Sequence, residues 1–81
     1  MLVKGRGGII NLNCNHLFAR SYGEGENSGS EIRIIKGYDK AFTLERFQGG
    51  KRAEEILDDI WRAAKAGVGY YEIPLEKRKK T

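Results

Sequence analysis

The sequence holds one cysteine, one histidine and one proline, and no long apolar run. The single cysteine, Cys14, excludes a disulfide within the chain and is typical of proteins from reducing compartments. No apolar segment approaches the roughly 20 residues that a membrane-spanning helix needs. Residues 1–10 also lack the uninterrupted apolar core of a signal peptide. We therefore expect a cytoplasmic protein that has no membrane among its partners.

Cysteine and histidine are too few to indicate a zinc site or a catalytic pair. Cys14 and His16 form a Cys-x-His pair, whereas zinc usually takes four ligands. A Cys–His nucleophile would also need an orienting group and an oxyanion donor, and neither is evident. An ordinary corner of the chain is the better interpretation. The sequence predicts no metal ligand, no cofactor and no catalytic residue, and we expect the protein not to be an enzyme.

The clearest pattern in the chain predicts a helix over residues 51–66. Its apolar residues recur at helical spacing and form one face, and most of its charged residues lie on the other side. The apolar face consists of Ala53, Ile56, Leu57, Ile60 and Ala64. Gly67 suits a left-handed C-terminal cap, but no good N-cap residue precedes the helix. Packing of the apolar face must therefore supply most of its stability.

Short strands and turns are predicted on the N-terminal side of this helix. Strand patterns cover residues 1–4, 9–12, 17–22, 31–36 and 41–47, with a glycine-rich turn at 5–8 and a polar loop at 23–30. Residues 31–47 predict a hairpin that turns at 37–40, and residues 68–73 fit a last strand or an extended arm. The predicted fold is α+β: a small antiparallel sheet of about four to five strands, in a meander, with one helix packed on one face. Residues 1–75 are predicted to form a single domain.

The positive charge of the chain is concentrated at its C-terminus. The net charge is +4; residues 76–81 carry four bases and one acid, and the other 75 residues carry eleven bases and ten acids. We expect residues 76–81 to be a basic, disordered tail. One interpretation is contact with nucleic acid or another anion, aided by two bases at the start of the helix. The residues of this hypothesis are Lys51, Arg52, Lys77, Arg78, Lys79 and Lys80; a solubilising chain end is the alternative.

Several stretches resemble a class of small bacterial and phage-borne proteins. The matching pieces are MLVKGRGG, IINL, ERFQGGKRAEEILDDI and YYEIP. They correspond to an opening hairpin, an apolar-Asn-apolar strand, a helix of the form A-x-x-(I/V)-L-(D/E)-x-I and a Tyr-x-(M/I)-P ending. The sequence departs from the class at residues 48–50, where Ser or Thr is more usual, and in its basic tail. The resemblance implies a bacterial or phage origin and the order of the elements, and it assigns no activity or functional residue.

The aromatic residues around the helix suggest an interface. Trp61 lies at the flank of the apolar face, and Tyr70 and Tyr71 point to opposite sides if their segment is extended. With Ile73 they form a hypothetical interface, although they would also suit the edge of a small core. We therefore predict a non-enzymatic interaction module that associates with itself or with another protein. The alternative function is a nucleic-acid-binding accessory protein that uses the basic C-terminal tail.

Overall fold

The computed structural model describes residues 1–36 and 40–74, which form two three-stranded sheets and one helix. The first sheet has the order β2-β1-β6 and consists of β1 (Leu2–Gly5), β2 (Gly8–Asn11) and β6 (Tyr70–Glu72). The second sheet has the order β3-β4-β5 and consists of β3 (His16–Tyr22), β4 (Gly29–Lys36) and β5 (Lys40–Gln48). The helix α1 (Arg52–Lys65) connects β5 to β6, and a short 3-10 turn, Gly25–Asn27, precedes β4.

The predicted α+β class, with one helix in the C-terminal half, is confirmed. The strands are divided between two sheets, however, and only the second sheet is an antiparallel meander. In the first sheet β6 pairs with β1 in parallel, with Tyr70 opposite Leu2. The segment after the helix is therefore a strand that pairs within the chain. Such a pairing between the two ends of a chain leaves no local signal in the sequence.

A β-bulge in β5 is the place where the opening hairpin contacts the second sheet. The β4–β5 register shifts just after Ile32, so that the neighbours Leu44 and Glu45 are both buried. The backbone N–H of Gly7 donates to the carbonyl of Leu44 at 2.9 Å. A Cβ atom on Gly7 would lie 2.5 Å from the Thr43 carbonyl oxygen, so this close approach requires glycine. The tip of the β1–β2 hairpin thus docks on the side of β5, and its strands begin a separate sheet.

One apolar core joins the two sheets to the helix. The helix buries Ala53, Ile56 and Ile60, which belong to the predicted apolar face. Strand β4 contributes Ile32 and Ile34 to the same cluster, and neither is exposed. The complete core is Val3, Leu17, Ile32, Ile34, Leu44, Phe47, Ala53, Ile56, Ile60 and Ile73. Burial of these side chains is the main stabilising contribution that a chain of this size has.

The N-terminus of α1 is capped by a residue of the sheet. Lys51 occupies the N-cap position and makes no side-chain cap, as the poor local capping sequence predicts. The hydroxyl of Ser30, on β4, accepts a hydrogen bond from the backbone N–H of Ala53 at 2.9 Å and donates one to the carbonyl of Gly49 at 2.7 Å. Ser30 is 1 % exposed. A buried hydroxyl with both bonds satisfied therefore fixes the start of the helix against the sheet.

The C-terminus of α1 ends as the sequence predicts. Gly67 adopts a φ of +81°. The N–H groups of Gly67 and Val68 donate to the carbonyls of Ala64 and Ala63 at 3.1 and 3.0 Å, which is the Schellman arrangement. The predicted turn at 37–40, apart from Lys40, and the predicted tail at 76–81 lie outside the described residues.

Replacing Ser30 with alanine should lower the stability of the fold. The variant leaves the Ala53 N–H without its acceptor in a buried position, so we expect a loss of about 1–3 kcal/mol in the free energy of unfolding. Urea denaturation followed by circular dichroism would measure it. Ser21→Ala, at an exposed position of β3, is the matched control and should change stability by less than about 0.5 kcal/mol. Equal stability of Ser30→Ala and wild type would contradict the capping role.

Candidate functional site

The helix covers one face of the second sheet, and no other element of the described residues packs over the opposite face. Along β4, Ile32 and Ile34 face α1, so Glu31 and Arg33 point away from it. We call the side that bears Glu31 the outer face. The strand register places four rows of residues there: Tyr22, Gly29 and Gln48; Arg20, Glu31 and Arg46; Phe18, Arg33 and Thr43; and His16, Ile35 and Ala41.

A buried carboxylate at the centre of the outer face holds three arginines. Glu31 Oε1 lies 2.9 Å from Arg20 Nη2 and 2.9 Å from Arg33 Nη1. Glu31 Oε2 lies 3.4 Å from Arg46 Nε and accepts a 3.4 Å hydrogen bond from the hydroxyl of Thr43. The side chain of Glu31 is 2 % exposed. The cluster is therefore a network in which each strand of the sheet contributes at least one partner to one carboxylate.

The electrostatics of this network favour the ionised carboxylate. Burial by itself would raise the pKa of Glu31. The hydrogen bond from Arg33 and the charges of Arg20, Arg33 and Arg46 outweigh that penalty, and the pKa of Glu31 is lowered from its ordinary value of 4.5. Because one carboxylate balances only one of the three guanidinium groups, the cluster keeps a net positive charge.

The three arginines differ in how much of each remains available to a partner. Arg33 is 20 % exposed, and it also donates to the Thr43 hydroxyl and the Ala41 carbonyl, each at 3.1 Å. The side chains of Arg20 and Arg46 are 57 % and 62 % exposed. Arg33 is therefore mainly structural, whereas Arg20 and Arg46 each contact Glu31 and present the rest of the guanidinium group to solvent.

Two aromatic residues flank Arg20 on the same face of β3. A Cβ atom on Gly29 would lie 2.7 Å from Cζ of Tyr22, so the tyrosine ring lies directly over the glycine. Tyr22 is still 40 % exposed, and Phe18 is partly buried. Residues 18, 20 and 22 thus display an aromatic ring, a guanidinium group and a second ring in succession along one edge strand.

The residues of the predicted aromatic interface lie on different elements and differ in exposure. Trp61 and Tyr70 are 44 % and 45 % exposed, and they lie on α1 and on β6. Ile73 is 2 % exposed and belongs to the core, so it has no surface to offer a partner. The hydroxyl of Tyr71 donates to Asp59 Oδ2 at 2.6 Å and ties β6 to the helix. Burial, this hydrogen bond and the charge of Asp59 raise the pKa of Tyr71 to about 12.

The predicted anion-contact residues are placed only in part. Lys51 is exposed at the start of the helix. Arg52 is half-buried, with its Nη1 atom 3.4 Å from Glu55 Oε1. Lys77, Arg78, Lys79 and Lys80 lie outside the described residues. Among the N–H groups in the first turn of the helix, which could attract an anion, that of Ala53 already bonds to Ser30.

The Cys14–His16 pair and the cavity beside β1 show no arrangement of side chains typical of a metal or catalytic site. Cys14 and His16 are both exposed, and residues 1–36 and 40–74 contain no group of three or more His, Cys, Asp or Glu side chains arranged to hold a metal ion. A cavity of about 250 Å³ is lined by Lys4, Gly5, Arg6, Glu45, Glu72 and Ile73. Its charged groups pair with one another, Lys4 with Glu72 at 3.8 Å and Arg6 with Glu45 at 3.6 Å.

No helix in the described part of the chain is both long and apolar enough to cross a membrane.

Comparison of the chain with protein-family models, with curated proteins and with solved structures finds no match. The outer face must therefore be interpreted from its own geometry. Sequence reasoning did not single out the Glu31 cluster, because its members come from three strands. The available signal was the order of residues 18–22, in which Phe18, Arg20 and Tyr22 occupy alternate positions and so share one face of a strand.

The Glu31 network should make stability depend on pH in the acidic range. Its folded-state pKa lies below the ordinary value of 4.5, so the network stabilises the fold above about pH 4.5 and loses that effect as pH falls through the lowered pKa. Glu31→Gln should therefore cost about 2 kcal/mol at neutral pH. The difference from wild type should shrink in acid. Urea denaturation at about pH 7 and about pH 3 would test this.

Glu54→Gln, at an exposed position of α1, removes one acidic group elsewhere and serves as the control. It should change stability little at either pH. A Glu31→Gln variant whose deficit is the same at both pH values would show that the carboxylate charge is not what holds the network.

Proposed function

We propose that this protein is a non-enzymatic interaction module, of the bacterial or phage kind that the resemblance implies, which self-associates by pairing two copies of β3. The observation that carries the proposal is the free edge of the second sheet. Among the described residues β4 is the one strand that pairs with β3. An edge strand presents unpaired N–H and C=O groups, which are a template for another strand. The opposite edge, at β5, is partly occupied because Leu44 accepts the hydrogen bond from Gly7.

The order of side chains on β3 supports pairing with an identical strand. An antiparallel pair about a two-fold axis at Ala19 sets Phe18 opposite Arg20 of the second copy, and His16 opposite Tyr22. The guanidinium group would then lie beside an aromatic ring, a favourable cross-strand contact. The two arginines would lie diagonally rather than face to face. On the helix side, Leu17 would lie opposite Ser21, and no like charges would be opposed. Strand β3 is therefore self-complementary in this register.

The surface of Trp61 and Tyr70 is the competing location for self-association. Both side chains are exposed, and aromatic residues are enriched at interfaces. They lie on different elements, however, and Tyr71 and Ile73 face inward. The β3 edge offers backbone hydrogen bonds as well as side-chain contacts, so we favour it.

Charge variants at the two-fold position provide a sharp test. Ala19→Lys and Ala19→Glu each place like charges opposite one another in the proposed dimer, so each should be monomeric by light scattering at concentrations where wild type is dimeric. A mixture of the two variants should restore the dimer, because opposite charges then meet. Restoration also shows that both variants are folded.

Trp61→Ala distinguishes the two surfaces. It should leave the dimer intact if β3 pairs and abolish it if the helix surface is the interface. A wild-type chain that stays monomeric at high concentration would refute self-association, and dimers of Ala19→Lys alone would refute pairing at β3.

A further inference from the structure

We infer that the outer face of the second sheet is a binding site for single-stranded nucleic acid, separate from self-association. The site would consist of Arg20 and Arg46 as phosphate contacts, with Phe18 and Tyr22 as stacking platforms. This surface differs from the C-terminal tail and from the helix N-terminus that the sequence suggests for the same class of ligand. It lies within one chain, so it is complete without a second copy.

The arginine cluster supplies the charge that a phosphate backbone needs. The outer face carries three arginines against one buried glutamate. Glu31 contacts one nitrogen atom each of Arg20 and Arg46, and a guanidinium group has five N–H donors. The remaining N–H groups can donate to phosphate oxygens in the planar, two-point geometry that arginine favours. Because the carboxylate already orders both side chains, little conformational entropy would be lost on binding.

The aromatic residues favour unpaired bases over other anionic partners. Bases in single strands stack on aromatic side chains, whereas bases in a duplex are already stacked on one another. Phe18 and Tyr22 lie one row to either side of Arg20 on the same face of β3. This alternation of ring, positive charge and ring fits a chain that alternates bases and phosphates. An acidic peptide would use the arginines but would have no general use for the rings.

The charges of α1 distinguish the helix side of the second sheet from the outer face. The side of α1 that faces away from the core carries Glu54, Glu55, Asp58 and Asp59, all of them exposed. It lies on the opposite side of the second sheet from the outer face, because α1 packs against the side that bears Ile32 and Ile34. Residues 51–66 carry four acids and four bases, so the helix side offers phosphates no net positive charge, whereas the outer face does. Edge pairing at β3 would place two such faces next to each other, with Arg20 of one copy beside Phe18 of the other.

The experiment is a fluorescence-anisotropy titration of a labelled oligothymidine of about 15 nucleotides, within the range of single-strand site sizes. For wild type we expect the logarithm of the affinity to fall with the logarithm of salt concentration at a slope of about −1.4, as two phosphate contacts imply. Arg20→Ala combined with Arg46→Ala should weaken binding about tenfold at low salt and bring the slope close to zero. Phe18→Leu should weaken binding about tenfold with the slope unchanged.

The matched control combines Arg62→Ala with Lys65→Ala, which removes the same charge from exposed positions of the helix and should leave the affinity within about twofold. Thermal unfolding checks each variant. Should the alanine pair fail to fold, Arg20→Gln with Arg46→Gln keeps hydrogen-bond donors for Glu31 and is expected to show the same loss of affinity and slope. An equal loss in the helix control would overturn the site.

Three further results would also overturn the inference. Loss of binding on removal of residues 76–81, with no effect of the arginine pair, would assign binding to the tail. Equal affinity for duplex and single strand would exclude stacking on Phe18 and Tyr22. Tighter binding of a polyglutamate peptide than of oligothymidine would make the partner an acidic protein. Self-association is measured separately by light scattering, so its failure leaves this inference intact, and the reverse also holds.

Discussion

In the part of the chain that the structure describes, one α-helix of 14 residues must cover the apolar side of the protein, and it can cover only one face of the second sheet. The other features of the structure follow from that constraint. The first sheet closes the core from another side, through Val3 and Ile73. It can do so because the Gly7 turn docks on the bulge at Leu44. No element of residues 1–36 and 40–74 packs above the outer face, so its own side chains must make it stable in water.

The Glu31 network meets that requirement with charge instead of apolar packing. A buried carboxylate alone would be costly, but three guanidinium groups and a hydroxyl surround it. The same arrangement fixes Arg20 and Arg46 while leaving most of each in solvent. The network that stabilises the outer face therefore also gives that face an ordered positive charge next to aromatic side chains. The proposed functions both use β3, one through its backbone edge and the other through its outer face.

The sequence is informative where structure depends on neighbouring residues and silent where it depends on distant ones. The apolar periodicity of residues 53–64 and the left-handed cap at Gly67 are local, and both were predicted. The hydroxyl that caps the Ala53 N–H belongs to Ser30, which lies 23 residues earlier in the chain. A sequence pattern for a helix start covers only the residues next to the helix, so it could not include Ser30. The parallel pairing of β6 with β1 and the bulge at Leu44 likewise join segments far apart in the chain. For the same reason the Glu31 network could not be predicted, since its partners meet only after three strands pair.

The central claim is that the outer face, rather than the tail or the helix N-terminus, is the binding surface. The most direct measurement is a nuclear magnetic resonance titration of the isotopically labelled chain with oligothymidine, which reports each backbone amide separately. The account predicts that shift changes concentrate at residues 18–22 and at Arg46, with little change along α1. Changes confined to Lys51, Arg52 and residues 77–80, with β3 unaffected, would contradict it.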